Sequence, residues 1–88
     1  MRYEEISEYA NNINSLDEFI VFVDLLKKNY GEQRDEWEND NIETYLNGIV
    51  SFLYNIDGYY YNKKENVNLD QPTWRIVARI LLAARIFD

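Results

Sequence analysis

The 88-residue sequence has no cysteine and no histidine, one proline and three glycines. Without cysteine there is neither a disulfide framework nor a thiolate zinc site. Without histidine the usual general base near neutral pH, the commonest metal ligand and every imidazole-based triad are missing. Gly31, Gly48 and Gly58 are too far apart to form a phosphate-cradling loop. Ser7, Ser15 and Ser51 have no base to activate them. The sequence therefore implies no catalytic residue, no cofactor and no metal, and the chain is not expected to be an enzyme.

Long apolar runs are absent too. The longest near-apolar stretch, 76–87, is too short for a membrane span and is cut by Arg79 and Arg85. The N-terminus turns acidic at Glu4-Glu5 without the apolar segment of a signal peptide, so a cytoplasmic location is expected. Basic side chains are scarce, nine against sixteen acidic ones, giving a net charge of −7. Such a field repels nucleic acid and anionic membranes, and either keeps the chain soluble or attracts a basic protein.

What is abundant is apolar and aromatic surface, 47% and 16% of residues. A chain with this much area to bury folds, and its length suits a single domain over 1–88. Tyr3, Ile6, Ala10 and Ile13 mark one face of a first helix, about 3–12. Ser15 and Glu18 form a capping-box pair opening a second, about 16–30, with the stripe Leu16, Phe19, Ile20, Val23, Leu26 and Tyr30, widened by Phe22 and Leu25 so that burial on more than one side is expected. Gly31 stands where a terminating glycine belongs.

A charged connector, 32–41, follows, interrupted by Trp37. Asp40 and Glu43 repeat the capping spacing ahead of a third helix, about 41–57. Its stripe is Ile42, Tyr45, Leu46, Ile49, Leu53 and Ile56, with Gly48 inside it permitting close approach of another helix. Asp57-Gly58 ends that run, and 58–71 reads as a long loop. Pro72 opens a fourth helix, about 72–87, apolar except for Arg75, Arg79 and Arg85. A helix apolar over most of its circumference belongs in the middle of the fold, its arginines paired with carboxylates of the other three. The expected fold is all-α: a compact, bundle-like four-helix domain.

The connector carboxylates Asp35, Glu36, Glu38, Asp40 and Glu43 do not follow the order of a calcium loop and read as a solvated turn. Trp37 reads as a lid folded on the core, and Trp74 as core. Tyr59, Tyr60 and Tyr61 cannot all point inward, so at least one is expected on the surface.

The segments Leu16-x-x-Phe19-x-x-Phe22, Trp37-Glu38-Asn39, Tyr45-Leu46, Tyr59-Tyr60, Pro72-Thr73-Trp74 and Phe87-Asp88 together resemble a family of small bacterial helical proteins of unknown function. The resemblance spans 16–88 and draws weight to Trp37, Glu38 and Asn39. In size, charge and helix count the chain also looks like toxin-immunity proteins, without a shared motif. The expected function is a small acidic protein–protein interaction module binding a basic partner, with Trp37, Glu38, Asn39, Tyr59, Tyr60 and Tyr61 as candidate contacts. The alternatives are a small-ligand or metal-binding module, or a homo-oligomeric structural protein sharing the apolar face of the second or fourth helix.

Overall fold

The computed structural model describes residues 2–88. Four helices run in order, α1 (Tyr3–Asn12), α2 (Leu16–Glu32), α3 (Ile42–Asn62) and α4 (Trp74–Ala83), with a 3-10 turn at Arg34–Glu36. There is no strand among the described residues. The radius of gyration, 12.6 Å, is close to the ~12 Å of a folded chain this long.

α4 packs against α1, α2 and α3, whereas among the described helices α3 packs on α4 alone. Ala78 and Leu82 of α4 join Ile6, Ala10, Ile13, Phe22, Leu26 and Trp37 in one apolar cluster. Ile76 joins Phe52, Ile56 and Tyr60 in a second. The fourth helix is thus central, as its apolar circumference requires.

The Ser15 hydroxyl accepts from the Glu18 N–H at 3.1 Å, while the Glu18 carboxylate accepts from the Asn14 N–H at 3.0 Å. These bonds satisfy free donors at the start of α2. The end differs from expectation: α2 continues through Gly31 to Glu32, and no glycine has a positive φ. α3 is capped by Asn41, whose Oδ1 accepts from the Thr44 N–H at 3.0 Å, and not by Asp40. Gly58 does not stop α3, which runs on to Asn62, so most of Tyr59–Tyr61's surroundings are helical and the loop is shorter than 58–71.

The stop comes at Lys64, whose φ is 58°. The Glu65 N–H donates to Tyr60 O and the Lys64 N–H to Tyr61 O, the paired bonds of a Schellman ending. The extension is explained by packing: Tyr60 belongs to the second core cluster, and its burial outweighs the weak helix propensity of Gly58. In α4, Thr73 is the N-cap and Pro72 lies just outside. Regular helix ends at Ala83 and the chain turns through Phe87.

Both long helices are rotated relative to the middle of their sequence stripes, α2 toward its Phe22 side. On α2 the buried line is Phe22, Leu26 and Asn29, leaving Leu16, Ile20 and Val23 exposed. On α3 it is Gly48, Phe52, Ile56 and Tyr60, leaving Ile42, Leu46 and Leu53 exposed. Trp74, expected in the core, is 39% exposed and rests on Phe19 with ring centroids 5.1 Å apart.

Candidate functional site

The connector returns to the core through Trp37. Its indole is 8% exposed, edge-on to Tyr30 and beside Tyr45. Its Nε1 donates to Asn29 Oδ1 at 2.7 Å, and the same oxygen accepts from Arg85 Nη1 at 3.1 Å. Asn29 in turn donates to Gln33 Oε1 at 2.8 Å. A buried asparagine is tolerable because it is bonded on both sides, and these bonds set the rotation of α2.

Asn39, two residues on, is also buried. Its side-chain amide donates to Ala84 O and Phe87 O, each at 2.8 Å, and its N–H donates to Arg85 O at 2.9 Å. It therefore caps free carbonyls where α4 ends. Of the Trp-Glu-Asn segment, only Glu38 faces solvent. The Tyr30 hydroxyl donates to Asp40 O, and the Tyr45 hydroxyl donates to Leu81 O at 2.6 Å. Burial, against the nearby Arg85 charge, pushes the Tyr45 phenol up to about 12.

Arg85 and Arg79 do not bond to carboxylates as expected. The Arg85 guanidinium lies over the Tyr3 ring at 4.6 Å and the Trp37 ring at 5.5 Å, and its Nε is buried without a partner among the described residues. Desolvation lowers its pKa. Arg79 bonds to Ser7 and Asn11. Neutral acceptors and aromatic faces serve here because the acidic side chains sit on outer, exposed positions.

The tyrosine triplet divides as its helical spacing dictates. Tyr60 is 6% exposed, Tyr59 is half-buried, and Tyr61 is 81% exposed. Tyr60's phenol is raised first by burial and then by Tyr59. Tyr61 continues a row that sequence reasoning assigned to the core or passed over. Leu46, Val50, Leu53, Tyr54 and Tyr61 are all exposed and fall within roughly 100° of the helix circumference. Ile42 begins the row beside a hollow of about 180 Å³ formed with Tyr30, Trp37 and Tyr45.

Charge is divided between the two halves of the chain. Residues 2–40 hold eleven acidic and four basic side chains, and 41–88 hold five of each. The whole excess of negative charge thus lies in α1, α2 and the connector. Among the described residues no three potential metal ligands converge.

A family model of unknown function, DUF7660, matches residues 15–88, and the chain belongs to that family. The match takes in α2, the connector, α3 and α4, and so the Trp37–Asn39 hub and the α3 row. No match was found among curated proteins or solved structures.

Proposed function

We propose that the protein is a non-catalytic protein–protein interaction module whose docking surface is the outer face of α3. The observation that carries this is the row Leu46, Val50, Leu53, Tyr54 and Tyr61, exposed on a helix that packs on α4 alone. Monomeric proteins rarely leave contiguous apolar patches of this kind in water.

The occupant that fits is a second copy. Residues 44–56 carry no charge, with Asp40 and Glu43 at the start of α3 and Lys63 and Lys64 at its end. An antiparallel pair brings each acidic end to a basic end and keeps both acidic α1–α2 halves on the far sides of α4. One face of a 21-residue helix is about 30 Å long and gives a shared area of about 700 Å², so the pairing is weak and concentration-dependent. Sedimentation across a range of concentrations tests it: association that Leu46→Glu with Leu53→Glu abolishes supports the reading, and identical behaviour of the two proteins opposes it.

The charge division favours a second contact, the acidic half binding a basic protein as an immunity-type module does. Leu16, Ile20 and Val23, exposed near Phe19 and Trp74, supply apolar area there. A partner captured by the wild type, released by salt and lost with Ile20→Glu would support it; capture unchanged by that substitution would remove it. The cysteine-free composition supports a reducing, cytoplasmic setting, and no helix among the described residues is long and apolar enough to cross a membrane. Without histidine or cysteine the chain lacks the commonest general base and the most reactive nucleophile, which supports the non-catalytic reading.

A further inference from the structure

At the end of α3 remote from the connector, a cavity of about 250 Å³ lies against α1 and α4. Three cations line it, Lys63, Arg75 and Arg79, against the single carboxylate of Glu65; Asn11, Tyr59 and Tyr60 complete the wall. A third of the chain's nine basic side chains thus meet in one space of a strongly acidic protein. Among the described residues, none of the three lies in an ion pair; the pair that does form is Lys28 with Asp24 on α2.

Arg79 is the informative member. Its side chain is 7% exposed, yet its acceptors are all neutral. Nη2 donates to Ser7 O at 3.3 Å, Ser7 Oγ at 3.1 Å and Asn11 Oδ1 at 2.6 Å. Nε and Nη1 have no acceptor among the described residues, and neither is sealed from solvent. A mostly buried guanidinium with no counter-charge among the described residues and two donors left to solvent is poised to bond an anion that enters the cavity. Lys63 is already positioned, its ammonium donating to the Tyr59 hydroxyl at 3.2 Å and lying 5.0 Å from that ring's centre.

We propose that this cavity binds a small phosphate-bearing molecule, with Arg75, Arg79 and Lys63 holding the phosphate and Tyr59 and Tyr60 flanking the attached group. Guanidinium forks match phosphate oxygens. The three cations exceed the one carboxylate by two charges, the charge of a phosphate monoester above its second pKa. The volume lies just under the roughly 300–1,000 Å³ of drug-sized sites, which suits a phosphate with one ring or a short chain. The inference does not rest on the α3 docking face: it shares Lys63 with the basic end of that helix but uses none of the face's apolar residues.

Calorimetry with inorganic phosphate, phenyl phosphate and acetate, at matched ionic strength, tests it. Saturable phosphate binding is expected, weakened about tenfold or more by Arg75→Ala and by Lys63→Ala. Both residues are exposed, so circular dichroism should show an intact fold. Arg34→Ala, outside the cavity, should bind as the wild type does. Phenyl phosphate binding more tightly than inorganic phosphate points to a phosphate ester, and the reverse order to free phosphate. No saturable binding, acetate binding as tightly as phosphate, or unchanged binding in both cavity variants would overturn the proposal.

Discussion

Gly48 and Ala84 are in backbone contact: a Cβ placed on Gly48 would lie 2.5 Å from Ala84 O, 2.8 Å from Asn39 Nδ2 and 2.9 Å from Phe87 O. Two of the three obstacles are backbone carbonyls, and the third is the side chain that caps them. Gly48→Ala should therefore destabilise the fold by about 2 kcal/mol, despite alanine's better helix propensity. For a domain this size that lowers Tm by roughly 8–16 °C, read by thermal melting.

Two positions further along, Gly58 in α3 and Lys64 just past its end, predict the opposite sign. Nothing lies within 4 Å of a Cβ on Gly58, and its φ is not positive. Gly58→Ala should stabilise by about 0.5–1 kcal/mol. Lys64 holds a left-handed φ of 58° that suits glycine better, so Lys64→Gly should add up to about 1 kcal/mol. Denaturant melts showing a loss in either variant would contradict this account of where α3 ends.

Asn39→Ala removes the donor shared by Ala84 O and Phe87 O and should cost about 2 kcal/mol. Asn39→Asp should cost more, because a carboxylate offers those carbonyls no donor and repels them. Hydrogen exchange should show faster opening at the end of α4 in both variants.

Tyr45 gives the fold an alkaline limit. Its folded pKa of about 12 lies above the ordinary phenol value of 10.0, so the folded state holds its proton more tightly than the unfolded chain. The resulting stability is fully present below about pH 10 and is lost as pH rises through about 12. The side chain is partly solvated, so the loss amounts to about 1 kcal/mol. Tyr45→Phe should be less stable at neutral pH, through the lost bond to Leu81 O, and show a shallower decline above pH 10.

The helices and the central place of α4 were legible because periodicity and caps are local signals, as at Ser15–Glu18. Rotations about the helix axes were not. Leu16, Ile20 and Val23 form as good a stripe as Phe22 and Leu26, and only the distant bonds from Asn29 to Trp37 and Arg85 decide between them. Likewise the close approach at Gly48 turns Leu46 and Leu53 outward. Trp37 read correctly as a lid, whereas Trp74 carried no local sign that it would stay half in solvent. The meeting of Lys63, Arg75 and Arg79 depends on helix packing, which one-dimensional spacing does not encode. The absence of carboxylates near Arg79 in sequence was the one available signal.

The docking face on α3 is tested most directly by sedimentation equilibrium of the intact chain beside its Leu46→Glu, Leu53→Glu variant, from low micromolar to millimolar concentration. The wild type should move from monomer toward dimer mass as concentration rises, while the variant, with helical circular dichroism unchanged, stays monomeric. A wild type that remains monomeric throughout, or a variant that associates equally well, would contradict the pairing of α3 faces.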